Sequence, residues 1–143
     1  MDKDMQGAFF KIIGGGITQF AFFEENFNPA SEDTQLDSSV SFTVEVEKRI
    51  VKATAAANLY QSKMPVFKCV VDLSFQIKNE SWESFVDKGK RMIPRKLLVY
   101  FGSKVIGALR GALFAKLEHM PMHIVLPLVN LEDIINEPMV LEA

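Results

Sequence analysis

Residues Pro94 to Leu131 read PRKLLVYFGSKVIGALRGALFAKLEHMPMHIVLPLVNL, and this stretch decides the fold. Its pattern predicts a long apolar helix over Arg95 to Leu117, then a Met- and Pro-rich extended segment, then the start of a second helix. Apolar side chains fall on nearly every face of the long helix. After its first turn only Lys104, Arg110 and Lys116 interrupt them. A helix with so little polar surface must be covered, either by a sheet of its own chain or by another copy of itself. The run is also about long enough to cross a bilayer. Lys104 and Arg110 fall near its middle, however, where each would cost roughly 2.5–3.5 kcal/mol. Gly102, Gly107 and Gly111 lower its helix propensity, and the last two stand at the spacing that lets helix backbones approach closely. The helix therefore reads as a buried interface element, with no membrane insertion.

Upstream, the period changes from helical to alternating. Val40, Phe42, Val44 and Val46 alternate with Ser41, Thr43, Glu45 and Glu47, which gives a strand with one dry and one wet face. Lys48-Arg49 marks a reversal. Val51, Ala53, Ala55, Ala57 and Leu59 then share a face; alanine favours helix, but the period of two and the flanking strands favour a strand. The small alanines would let a large element lie close over it. A turn at Ser62 to Pro65 leads to a fourth strand, in which Phe67, Cys69, Val71, Leu73, Phe75 and Ile77 point one way. The first strand is expected over Ile17 to Glu24, after a bend at Gly14-Gly15-Gly16, and a polar loop is expected from Asn26 to Ser39. Short links between consecutive strands predict an antiparallel meander. Trp82, Phe85 and Val86 suggest a helical turn or two before Pro94. A four-stranded antiparallel sheet packed by one long helix and a short C-terminal helix makes an α+β fold of two layers. The helix has more apolar circumference than one sheet face covers, so a homo-oligomer is expected.

The 143 residues suit a single domain over 1–143. A formal net charge of −2 implies no nucleic-acid partner. The one cysteine, Cys69, sits in a strand pattern as a small buried residue, and MDKDMQ at the amino terminus is not a signal peptide, so a cytoplasmic location is expected. The triple glycine has neither a following Lys-Ser/Thr nor a G-x-G-x-x-G frame. His119 and His123 stand four apart, but Pro121 breaks the helix that would align them, so no metal site is expected. No nucleophile elbow and no Ser/His/Asp set stands out, so no enzymatic activity and no cofactor are expected. A surplus of soft and aromatic hydrophobes in irregular stretches is more telling. Met120, Met122, Ile124 and Leu126 lie between or beside prolines, and Phe22 and Phe27 flank the first long loop. Such side chains adapt to many partner shapes. As a set they would line a groove for apolar polypeptide; a small-molecule-binding α+β domain is the alternative.

Several of these pieces together resemble the SecB family of protein-export chaperones, in its shorter SecB-like form. The resemblance runs from about Phe9 to Val140. It rests on F-F-E-E-N-F-N-P from Phe22 to Pro29, then the alternating strands, then Pro94, Leu97-Leu98, Tyr100, Ile106, Arg110-Gly111 and the run Leu126 to Leu131. It implies an ATP-independent holdase that wraps unfolded preproteins or other client polypeptides along hydrophobic grooves. The implied client groove uses Phe22, Phe27, Phe42, Val44, Met120, Met122, Ile124 and Leu126. The implied assembly is a dimer of dimers, paired through the first strands and the long helices, with Ile17, Phe20, Tyr100, Ser103, Gly107, Arg110 and Gly111 at the interfaces.

The sequence also departs from that pattern. Family members that deliver cargo to the SecA motor use acidic residues on the outer sheet face and a basic tail. Glu24 keeps one acidic position, whereas Gln19-Phe20 and Val70 occupy the others. A short second helix is expected over Glu132 to Asn136, and no basic tail follows it. A SecB-like chaperone dedicated to an antitoxin or to a few clients, without SecA delivery, fits these departures equally well.

Overall fold

A computed structural model describes residues 10–84, 91–118 and 131–141. Four long strands, β1 (Phe10–Phe22), β2 (Thr34–Glu45), β3 (Ile50–Gln61) and β4 (Met64–Ile77), form one antiparallel sheet. A single helical turn follows, α1 (Asn79–Trp82). Then come β5 (Met92–Ile93), the long helix α2 (Arg95–Leu117), α3 (Leu131–Ile134) and β6 (Met139–Val140). The helix expected over Arg95 to Leu117 has those bounds in the structure, and the α+β fold is as expected.

Strands β2, β3 and β4 are a meander joined by tight turns. Ser62 and Lys63 both adopt left-handed backbone conformations (φ 49° and 65°), the two-residue geometry whose twist matches flanking strands. At the other end, Arg49 also turns left-handed (φ 57°), and its N–H donates to the Val46 carbonyl. Val51, Ala53, Ala55, Ala57 and Leu59 are buried against α2, as the alternation predicts. Without large side chains on β3, the helix settles onto the middle of the sheet. Near the end of the sheet where α2 begins, Phe75 and Phe101 stack with ring centroids 4.0 Å apart. Full burial of each such ring is worth about 1.5–3 kcal/mol.

The first strand departs from expectation in three respects. It begins at Phe10, so the three glycines lie inside it and are not a bend before it. Its partner is β4, giving the order β1-β4-β3-β2, a Greek key in place of a simple meander. Its register shifts twice, between Ile12 and Gly14 and between Ile17 and Gln19, which leaves Ile13 and Thr18 as bulge residues. Gly15 is required by close approach: a Cβ there would lie 2.7 Å from the Asp72 carbonyl oxygen and 2.5 Å from Leu73 Cδ2. Glycines in a strand interior hide the alternation that identifies strands, which is why the first half of β1 reads as a bend.

The same topology explains the shorter loop. β2 starts at Thr34, so the last six of the fourteen residues expected to be irregular are strand; their Ser and Asp residues lie on an exposed edge, where packing does not oppose them. The remaining chain, residues 23–33, must cross the end of the sheet from one edge to the other. Phe23 N–H donates to the Val66 carbonyl at 2.7 Å, and Asn26 Nδ2 donates to the Pro65 carbonyl at 2.8 Å. Gln61, only 7% exposed, accepts from Asn28 N–H at 2.8 Å and donates to Thr34 Oγ1 at 3.3 Å. The buried amide thus ties the middle of the crossing and the start of β2 to the β3–β4 hairpin. The C-terminal helix also differs: α3 covers Leu131–Ile134 and not Glu132 to Asn136, and the chain then extends to pair β6 with β5.

Candidate polypeptide-binding surface

The long helix lies lengthwise along the sheet, so its surface divides into rows spaced four residues apart. Nine of its residues are buried against the sheet and the C-terminal segment, from Leu97 to Leu117. Three rows look away from the sheet, and they differ sharply.

The row facing β1 is Tyr100, Lys104, Ala108, Ala112 and Lys116. Two contacts fix its direction. The Phe10 and Tyr100 rings meet edge-on with centroids 5.2 Å apart at one end, and Lys116 Nζ stands 5.5 Å from the Phe20 ring centroid at the other. Lys104 Nζ sits 5.0 Å over Tyr100. Between these ends the flank is open. Ile12 and Ile17, on the helix side of β1 because they pair with Phe75 and Val71, are 57% and 43% exposed. Leu73 is half-buried below them, opposite Gly15. The result is a trough with an apolar floor and lysines along its helical wall.

The row facing β2 is Gly102, Ile106, Arg110 and Phe114. Here the chain covers itself. A Cβ on Gly102 would lie 3.1 Å from Leu131, 3.4 Å from Ile135 and 3.5 Å from Phe42. Arg95 Nε donates to the Ile135 carbonyl at 2.5 Å, and Leu141 N–H donates to the Arg91 carbonyl at 2.8 Å, so the β5–β6 ribbon holds this segment in place. Only the far end of the row emerges, with Phe114 79% exposed. The outermost row, Ser103, Gly107, Gly111 and Ala115, is small and exposed; a Cβ on Gly107 or Gly111 would meet nothing within 4 Å.

The residues implied for the client groove fall in two places. Phe22 and Phe27 come together, with ring centroids 6.2 Å apart, at the end of the sheet where α2 finishes. Phe42 and Val44 lie half-buried on β2 beside the start of α2. Through the pairs Phe22–Phe67, Phe67–Leu59 and Leu59–Leu36, the two sites are diagonal corners. They stand about 20 Å apart along the strands and about 14 Å across them. The structure does not bring them together into one cluster. Met120, Met122, Ile124 and Leu126, like His119 and His123, lie outside the described residues. Of the residues implied for the interfaces, Ile17, Ser103, Gly107 and Gly111 are exposed, and Phe20, Tyr100 and Arg110 are half-buried. Glu24 is exposed and opens a short 3₁₀ turn. Gln19 and Val70 pair with each other on the outer sheet face.

The inner space between helix and sheet is filled by side chains, among them Phe67, Phe75, Leu97, Phe101 and Leu109. Cys69 is buried there, and burial pushes its thiol above the ordinary value while the Lys116 ammonium pulls it partly back. A polar depression of about 300 Å³ lies instead on the outer corner, lined by Asp33, Gln35, Asp37, Tyr60 and Lys63. Ile12, Leu73 and the two wall lysines were not singled out from sequence. Leu73 was legible as part of the apolar face of its strand and the lysines as interruptions of the apolar helix, whereas the signal for Ile12, Phe10-x-Ile12, is cut short by the glycines.

No known protein-family model matches the chain, and no curated protein sequence matches it. Solved structures do. The Mycobacterium tuberculosis Rv1957 SecB-like chaperone, in complex with a ChAD peptide from the Rv1956 HigA1 antitoxin, superposes with a TM-score of 0.50. The match covers 85% of this chain and 92% of that one at 10% identity. The chain has a SecB-like fold. A Streptococcus agalactiae protein of unknown function also matches, at 13% identity and a TM-score of 0.38, over 84% of this chain and 96% of that one. In the SecB-like fold of this chain, the long helix is half covered by the sheet and β1 forms an unpaired sheet edge.

Proposed function

We propose that this SecB-like chain is an ATP-independent holdase that binds unfolded or non-native polypeptide along the apolar flanks of α2. One observation carries the reading. The helix is seated on the sheet, yet Ile12 and Ile17 stand exposed on its β1 flank and Phe114 on the other, and large exposed apolar side chains beside a core helix mark a surface suited to apolar polypeptide. Binding there needs no covalent step. Mass action favours whichever form of the client exposes extended apolar chain, which slows its folding and aggregation.

The SecB-like structure found with an antitoxin peptide supports a client that is a polypeptide, and it favours a chaperone dedicated to few clients over a general export factor. Gln19 and Val70 in place of outer-face acids point the same way, with Glu24 keeping one of the acidic positions. Assembly completes the reading. The bare main-chain edge of β1 at Ile17 and Phe20 would pair two copies while leaving those side chains on the helix side of the sheet; the small row Ser103, Gly107 and Gly111, flanked by Tyr100 and Arg110, would cross a helix of another pair. Cytoplasmic preproteins remain a client class for this assembly.

Light scattering of an unfolded model protein tests the function directly. Suppression of aggregation at stoichiometric ratios, without nucleotide, is the expected result, and unimpeded aggregation refutes it.

A further inference from the structure

The charges on the two flanks of the sheet are segregated, and this bears on which polypeptides the β1 flank accepts. Neither β1 nor α2 contains an aspartate or glutamate, whereas together they carry Lys11, Arg95, Lys96, Lys104, Arg110 and Lys116. The other edge is the reverse. From Ser31 to Glu47 the chain holds Glu32, Asp33, Asp37, Glu45 and Glu47 with no lysine or arginine. Asp72 of β4 points to the outer face; Glu24 and Glu25 follow β1 and Glu118 follows α2, and none of them forms an ion pair with Lys104 or Lys116.

Lys104 and Lys116 frame that trough. They lie twelve residues apart on one helical row, about 18 Å, which is the length of roughly five residues of extended chain. Among the described residues neither has a carboxylate partner, and each ammonium rests over a ring at the rim, Tyr100 or Phe20. Between them the floor is Ile12, Ile17 and Leu73. A ligand that satisfies both features has apolar side chains in its middle and negative charge at its ends.

We propose that the β1 flank is a selective docking site for an extended client segment in which apolar residues are bracketed by aspartate or glutamate. The proposal rests on the holdase reading and adds its specificity. Acidic clients are repelled by the β2 edge and drawn to the β1 flank, so the two edges sort one client by its local charge.

Two short fluorescent peptides with a common apolar centre, one ending in glutamates and one in lysines, test it by anisotropy on the full chain. The acidic peptide should bind about tenfold tighter at low salt, with the ratio falling as ionic strength rises. Lys104→Gln with Lys116→Gln should erase the ratio, and Lys104→Glu with Lys116→Glu should invert it, at unchanged melting temperature. Equal binding of the two peptides overturns the proposal and leaves the holdase reading intact. A preference that survives charge reversal, with a shift in oligomer mass instead, also overturns it and assigns the flank to a second copy. Binding of neither peptide refutes the holdase reading itself.

Discussion

The two flanks of α2 are built from similar materials and finished differently. On the β2 side, Leu131 and Ile135 lie against Gly102 and Phe42, and the β5–β6 ribbon fastens them there. On the β1 side, isoleucines of similar size stand open to solvent beside two lysines. A protein that needed only stability would cover both. The difference shows that apolar character alone does not make a core residue; what matters is whether the chain returns to cover it. On this reading the covered flank contributes to folding, and the open one is kept for another molecule.

The largest expected effect sets one flank against the other. Leu131→Ala removes a buried side chain and should cost about 2–4 kcal/mol in urea unfolding, whereas Ile12→Ala on the open flank should cost less than about 0.5 kcal/mol. Equal losses would mean that the β1 flank is also covered in solution. Next come the glycines. Gly102→Leu drives a side chain into Leu131 and Ile135 and should destabilise by about 1–3 kcal/mol. Gly107→Leu meets nothing in its own subunit, so its melting temperature should hold or rise with the gain in helix propensity, up to about 1 kcal/mol. The same variant should lower the mass seen by light scattering behind a sizing column, because its side chain would fill the outer row; an unchanged mass would remove that row from the interface. Gly15→Val, blocked by the Asp72 carbonyl, should destabilise by about 1–3 kcal/mol even though it lies on the open flank.

The smallest effect concerns Cys69. Its folded-state pKa is raised, so the neutral thiol is favoured in the folded chain. That contribution is complete below the ordinary thiol pKa, about 8.5, and is lost as pH rises from there through the folded value. Unfolding titrations from neutral to alkaline pH should show the decline, and Cys69→Ala should reduce its slope.

The helix, the three meander strands and the need for a cover were legible in the sequence because each depends on local period. Arg95 to Leu117 repeats as a helix, Val51 to Leu59 and Phe67 to Ile77 alternate as strands, and no other part of the chain contradicts them. β1 was only half legible. Its glycines have no side chains to alternate, and its bulges at Ile13 and Thr18 shift whatever phase remains. Its placement beside β4 depends on a crossing held by Gln61, a long-range contact with no trace in local pattern. For the binding surface, the aromatic residues were visible as a surplus, but Phe22 with Phe27 and Phe42 with Val44 read as one set when the sheet holds them at opposite corners.

The sequence by itself determined a greasy rod and an alternating sheet to carry it. These follow from which side chains occur at which period. Only the tertiary structure decided that β1 closes the far edge, that Leu131 and Ile135 return to one side of the rod, and that Ile12 and Ile17 stay bare on the other. Those outcomes depend on which surfaces meet across long loops, and a one-dimensional period carries no information about that.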